Sequence, residues 1–155
     1  MTVRISALPL APFVPLFALD DAALATRGAC RVVADRTPGF PCRVSLVDAA
    51  PGERLILTHW QHQPADTPFR ASHALYVRED AAEAHPKAGE VPALLRLRTL
   101  SLRGFDAGGM LIAADLAEGP NLEQALEAML AAPKVAYVHL HHAKPGCYAA
   151  RADRA

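Results

Sequence analysis

The sequence contains few cysteines, no long apolar run and no net charge. Its 155 residues include three cysteines, and its 16 basic and 16 acidic residues cancel. An odd number of thiols argues for free cysteines in a reducing compartment over a disulfide framework. No apolar run is long enough to span a membrane, and no basic block offers a surface for nucleic acid. We therefore expect a protein that binds neither membranes nor nucleic acid.

Motifs of the common enzyme classes are absent as well. The sequence has no phosphate-binding loop, no GxSxG nucleophile elbow, no dinucleotide fingerprint and no HExxH zinc motif. The apolar N-terminal segment is interrupted by Pro9, Pro12 and Pro15, which makes it a weak signal peptide. We expect a cytoplasmic protein. The basic residues are mostly arginine, which together with abundant alanine and proline is typical of a GC-rich bacterial genome.

What is present is a composition typical of a globular chain. Apolar residues make up 52% and charged residues 21% of the sequence, which argues against disorder. The length matches one ordinary domain, and neither an internal repeat nor an interdomain linker is visible. We predict a single domain over residues 1–155.

Alternation and turn residues predict six to eight strands. The turn DAGG supplies the positive-φ residues of a hairpin between its two flanking strands. The sequence predicts an α+β fold with a largely antiparallel sheet, in which KVAYVHLHH is the final strand. The predicted strands are TVRISAL, CRVVAD, CRVSLVD, RLILTHWQ, ASHALYVRE, LRLRTLSLRGF, GMLIAADL and KVAYVHLHH.

Two main helices are predicted beside the sheet. The first, near residues 21–27, begins at Asp20 or Asp21 and ends at Gly28. The second lies in PNLEQALEAMLAAP, where leucines at helical spacing form one apolar face that packs on the sheet.

Histidines near the C-terminus are the first candidates for chemistry. His139 and His141 lie two apart in a predicted strand, so they share a face and are near enough for one metal ion. Because an HxH pair alone specifies no metal, we assign none and leave the cofactor unknown. For His59 and His73, the alternative is that they end core-facing rows and form hydrogen bonds with the backbone. A metal would need a third ligand, for which the candidates are His59, His62, His73 and Cys147.

Two cysteines and three arginines complete the candidate site. Cys42 and Cys147 each follow a turn rich in proline and glycine, where a thiol can act as a nucleophile with His139, His141 or His73 as base. The alternative is that both cysteines are small structural residues packed within their turns. A carboxylate or phosphate ligand is expected to contact Arg43, Arg70, His73 and Arg151. For each arginine, a surface salt bridge with a neighbouring aspartate is the simpler account.

Four segments, PGFPCRVSL, HQPADTPFRASHALYVRE, LSLRGFDAGGM and PKVAYVHLHHAKPGCYAARAD, together carry a resemblance that spans nearly the whole chain. They resemble the domain-of-unknown-function 1203 family of small bacterial proteins. The resemblance implies a single-domain bacterial protein and supplies no activity, substrate, cofactor or catalytic residue.

Three functional hypotheses remain after the resemblance is stated. The leading one is a non-metallic pocket for a small molecule or an anion, lined by the turns that carry these Cys, His and Arg residues. The second is an enzyme that uses Cys and His or a His-bound metal. The third is a non-catalytic accessory or interaction protein, forming a homodimer through an uncovered apolar sheet face.

Overall fold

The computed structural model describes residues 1–155 and shows an α+β fold with eight strands in two antiparallel sheets. The five-stranded sheet has the order β1-β8-β7-β5-β6, and the three-stranded sheet has the order β2-β3-β4. The strands are β1 (Val3–Ser6), β2 (Cys30–Val33), β3 (Arg54–Gln63), β4 (Ala71–Arg78), β5 (Thr99–Phe105), β6 (Leu111–Glu118), β7 (Tyr137–His142) and β8 (Tyr148–Arg154).

Four α-helices and one 3-10 turn accompany the sheets. The helices are α1 (Val14–Phe17), α2 (Asp21–Ala25), α3 (Ala93–Arg96) and α4 (Leu122–Ala131), and the 3-10 turn is Gly119–Asn121. Only α4, with ten residues, is longer than two turns. None of the helices combines the length and the apolar character that crossing a membrane requires.

The chain divides into two compact units, each of which is described by itself. The first unit comprises Met1–Ser6, Gln61–His73 and His85–Ala155, and therefore contains the whole five-stranded sheet. The second unit comprises Ala7–Trp60 and Ala74–Ala84.

In the first unit, α4 covers one face of the five-stranded sheet. Its three buried leucines are Leu122, Leu126 and Leu130. The close approach of helix and sheet depends on Gly104 of β5, where an added Cβ would lie 3.0 Å from the sulfur of Met129. Since strand residues alternate between faces, the even-numbered residues of β5 and β7 face α4. The odd-numbered residues face away from it.

In the second unit, the predicted first helix is confirmed. Asp20 caps α2 by accepting a hydrogen bond of 2.8 Å from the backbone N–H of Ala23. Gly28 follows the helix with φ +66°, a left-handed conformation that glycine adopts without strain. The core of this unit includes Ala34, Ala49 and Leu55, all at most 2% exposed.

Two of the strand predictions were wrong. The segment CRVSLVD forms a tight turn, in which Leu46 has φ 52° and its N–H donates to the carbonyl of Cys42. The turn buries Val44 and Leu46 without a strand ladder, while Val47 is exposed. KVAYVHLHH is not the final strand, because β8 follows it and pairs with both β7 and β1. The predicted hairpin between β5 and β6 is confirmed.

Candidate functional site

Four histidines of the first unit lie together on the face of the five-stranded sheet that α4 does not cover. Two come from β7, one from the end of β3 and one from the start of β4. Ring contacts join them to one another, and three of the four are buried. We call this group the histidine cluster, which consists of His62, His73, His139 and His141.

Three members of the cluster bring their imidazole nitrogens together. One ring nitrogen each of His62, His73 and His141 lies within 4.8 Å of the other two. His62 Nε2 is 2.7 Å from His73 Nδ1, and these two rings are stacked with an interplanar angle of 9°. The His141 ring stands nearly perpendicular to both, with centroids 5.0 Å from His62 and 5.3 Å from His73.

A backbone carbonyl fixes the proton on the His141 ring. The Nδ1–H of His141 donates to the carbonyl oxygen of Gly146 over 2.9 Å, since a carbonyl can only accept. The proton therefore lies on Nδ1, and Nε2 keeps its lone pair. This Nε2 atom is buried without a hydrogen-bond partner, as is Nδ1 of His62. Unpartnered buried nitrogens are unfavourable in a folded protein and point to a ligand.

Aromatic rings enclose the histidine cluster. Tyr148 stacks on His62 with ring centroids 5.0 Å apart and an angle of 13°. Phe105 and Tyr137 lie 5.1 Å and 5.2 Å from the ring of His139. Burial raises the pKa of Tyr148, so its hydroxyl stays protonated. The surroundings of the imidazoles are therefore largely apolar, and they strengthen electrostatic interactions inside the cluster.

Burial keeps three of the four imidazoles uncharged. It is the main reason that the pKa of His62 falls to about 4, with smaller contributions from the neighbouring His73 and from the positive charge of Arg103. Burial also lowers the pKa of His139 and of His141 to about 3 in each case. At neutral pH these rings are therefore in the neutral form that a metal requires.

The distances fit one transition-metal ion after a small adjustment. Two nitrogens bound to a tetrahedral metal at about 2.05 Å lie about 3.3 Å apart. The 2.7 Å contact between His62 and His73 would have to open by about 0.6 Å. The longest separation, up to 4.8 Å, would have to close. Movements of this size are within reach of side-chain rotation.

The comparisons with known proteins identify a family. Over residues 39–154 the chain matches the family model DUF1203, described as a protein of unknown function. The chain belongs to the DUF1203 family. Neither the curated proteins nor the solved structures contained a match. The part of this DUF1203 protein that matches the family model includes all four histidines of the cluster.

The two candidate cysteines occupy different surroundings in this DUF1203 protein. Cys42, in the second unit, is 0% exposed, and its sulfur accepts backbone N–H groups of Ser45 and Arg78 at 3.4 Å and 3.3 Å. These contacts are those of a structural thiol at a turn. Cys147, in the first unit, is partly exposed in the turn between β7 and β8. The two lie in different units, and the expectation of a thiol nucleophile stays a prediction.

The candidate arginines each have a local interaction. Arg43, in the second unit, is 2% exposed and donates to the carbonyl of Pro41. Arg70 is exposed and pairs with Asp66 at 2.8 Å. Arg151 forms a two-pronged pair with the carboxylate of Asp153, at 2.8 Å and 2.7 Å. The simpler account, pairing with neighbouring aspartates, therefore describes the last two.

Sequence reasoning named His73, His139 and His141 as site residues and gave His62 only as one of several possible third ligands. The structure places His62 at the centre of the cluster, 9% exposed. Alternation along β3 offered a signal, because His62 shares a strand face with the buried Thr58. His59 lies on the other face of β3, in the row of the buried Leu55, and is itself exposed.

Proposed function

We propose that this protein binds one divalent transition-metal ion through His62, His73 and His141. One observation carries the proposal: a ring nitrogen of each converges within 4.8 Å in an aromatic, buried surrounding. The Gly146 carbonyl supports it, because a hydrogen bond to the far nitrogen orients a ligating histidine and raises its basicity.

The donor set selects the class of metal. Imidazole nitrogens suit zinc, copper, iron and nickel, whereas magnesium and calcium prefer oxygen ligands. Structural zinc sites are closed by four protein ligands, whereas three protein ligands leave a position for water or substrate. We therefore infer a centre that holds the metal and also presents it to a small ligand. The proposal departs from the non-metallic pocket that is the leading hypothesis from the sequence, and it takes up the alternative of a His-bound metal.

The test is metal binding by protein purified without a histidine tag. After treatment with a chelator, the protein is titrated with zinc and followed by calorimetry. We expect one equivalent to bind, and we expect His62→Gln, His73→Gln and His141→Gln each to weaken binding by about 10-fold or more. The matched control is His85→Gln, an exposed histidine of the same unit, which should bind zinc like the unaltered protein.

Two results would contradict the metal centre. One is binding of less than about a tenth of an equivalent of zinc, since a preformed site at neutral pH should fill. The other is an equal loss of affinity in His85→Gln and His141→Gln, which would indicate nonspecific binding.

We also propose that the protein works in the reducing cytoplasm of a bacterium. Three free cysteines support this location, since thiols persist where glutathione or thioredoxin keeps them reduced. Fractionation of cells that express the full chain would test it, and recovery in a periplasmic or secreted fraction would contradict it.

A further inference from the structure

Arg103 of β5 lies beside the histidine cluster without a partner of its own. It is partly buried, and it makes neither a hydrogen bond nor an ion pair. In the register of the sheet, Arg103 stands directly opposite His139, and Ser101 stands opposite His141. Directly opposite residues project from the same face with Cβ atoms about 5 Å apart. The guanidinium therefore leaves the sheet on the face that carries the cluster.

The electrostatics agree with this placement. The positive charge of Arg103 contributes to the lowered pKa values of His62, His139 and His141, as expected for an arginine on the same face of the sheet. No carboxylate contributes to the pKa shift of any of these three rings.

The other arginine beside His139 is already neutralised. Arg151 stands opposite His139 on β8, and its guanidinium lies 4.2 Å from the centre of the Tyr137 ring. The carboxylate of Asp153 holds it in a two-pronged ion pair. Of the two arginines that flank His139, Arg103 alone is not held by a carboxylate.

A divalent metal ion bound by three neutral imidazoles keeps its full charge of +2. With Arg103 beside it and no carboxylate among its three ligands, the centre carries a net positive charge. Buried charge of one sign is unfavourable unless it is paired, so an anion is the ligand that this centre stabilises most. A planar guanidinium holds an oxyanion through two parallel hydrogen bonds.

We propose that the exchangeable ligand of this centre is a small oxyanion, a carboxylate or a phosphate, with one oxygen on the metal and another held by Arg103. The inference rests on the proposed metal centre and adds the chemical class of the ligand. It also assigns Arg103 a binding role that none of the sequence patterns indicated.

The test uses the full chain loaded with cobalt, whose visible absorption reports its ligands. The protein is titrated with acetate, with inorganic phosphate and with neutral imidazole. We expect both anions to alter the spectrum, and the one that binds more tightly identifies the carboxylate or phosphate class. Arg103→Met should weaken anion binding by about 10-fold or more, as expected for loss of charge-assisted hydrogen bonds. Imidazole affinity should be unchanged, and cobalt affinity should be the same or higher, because the substitution removes a positive charge beside the metal.

Two further variants sharpen the test. Arg103→Lys keeps the positive charge and loses the planar guanidinium that can form two parallel hydrogen bonds, so an intermediate anion affinity is expected. Arg4→Met is the matched control, because Arg4 is an exposed arginine on the edge strand β1 of the same sheet. It should bind both anions like the unaltered protein. Retained cobalt binding by a variant shows that the variant is folded.

The outcomes separate the two proposals. If cobalt binds and the anion affinities of Arg103→Met match those of the unaltered protein, the oxyanion inference is wrong while the metal centre stands. If cobalt does not bind to the unaltered protein, the metal centre is wrong and the inference falls with it.

Discussion

At the scale of single residues, the site depends on which nitrogen of each imidazole carries the proton. In His141 the proton lies on Nδ1, because Nδ1 donates to the carbonyl of Gly146, which lies in the turn after β7. Gly146 has φ +79°, so the direction of its carbonyl depends on a backbone conformation that side chains other than glycine rarely adopt. A glycine in a turn therefore orients a candidate metal ligand.

This dependence predicts the effect of Gly146→Ala. An added Cβ would meet nothing within 4 Å, so strain at positive φ, about 1 kcal/mol, is the main effect on stability. The strain moves the carbonyl away from His141 Nδ1, and we expect zinc affinity to fall by about 10-fold. Calorimetric titration measures the affinity, and urea unfolding measures the stability.

Gly28→Ala is the matched control for Gly146→Ala. Gly28 has φ +66° and equally open surroundings, and it lies in the second unit at the end of α2. It should lose similar stability without any change in zinc affinity. Equal zinc affinities in the two variants would show that the Gly146 carbonyl does not orient a metal ligand.

The lowered pKa values predict acid sensitivity of the metal-free protein. The pKa of His139 is about 3 in the folded state and near 6.5 in the unfolded chain. Below pH 6.5 the unfolded chain binds protons that the folded protein does not, so the free energy of unfolding decreases as the pH falls. The stabilisation is complete above pH 6.5 and is lost towards pH 3. The same sign holds for His62 and His141.

His139→Phe tests this pH dependence, because phenylalanine keeps an aromatic ring beside Phe105 and Tyr137. Urea unfolding at pH 6 and pH 5 should show a slope smaller by up to about 1.4 kcal/mol per pH unit than in the unaltered protein. His85→Gln, which removes an exposed histidine, should leave the slope unchanged. An unaltered slope in His139→Phe would mean that His139 titrates normally in the folded state.

At the scale of elements, the sequence predicted β7 well. Alternation placed Val138 and Leu140 in the core and His139 and His141 on the opposite face, and both apolar residues are 0% exposed. What alternation could not predict is which histidines on separate strands come into contact with one another. The contact of His62 with His73 needs the pairing of β3 with β4, and the contact with His141 needs the placement of residues 61–73 beside β7, within the first unit. Neither is a local property.

The missed eighth strand has a similar explanation. The segment YAARADR is rich in alanine and charge, residues that are depleted in strands, so local propensity argues against it. β8 is stabilised by its position between β1 and β7, with hydrogen-bonded neighbours on both sides. At CRVSLVD the error is the reverse, since a strand was predicted where the structure has a turn. The apolar alternation there reflects burial of side chains in the turn. In both segments the tertiary context overrides the local pattern.

At the scale of the molecule, the site joins parts of the chain that are far apart in sequence. The three proposed ligands belong to residues 61–73 and to β7, and both lie in the first unit. A metal that bridges them removes conformational freedom that is otherwise limited only by packing and hydrogen bonds. Ligands that bind only the folded state stabilise it by mass action. Metal binding should therefore raise the free energy of unfolding. Its effect on local opening should be largest in the segments that carry the ligands.

We expect zinc at about 100 times its dissociation constant to raise the free energy of unfolding by about 2.7 kcal/mol. Hydrogen exchange should slow most in residues 61–73 and in β7, because opening of either segment breaks a metal bond. Amides of α2, in the second unit, should slow less. At the same zinc concentration His141→Gln should weaken both effects, to about 1.4 kcal/mol or less for a 10-fold or greater loss of affinity, since it removes the ligand that links β7 to the other two. Equal slowing throughout the chain, or the same slowing in His141→Gln, would place the metal elsewhere.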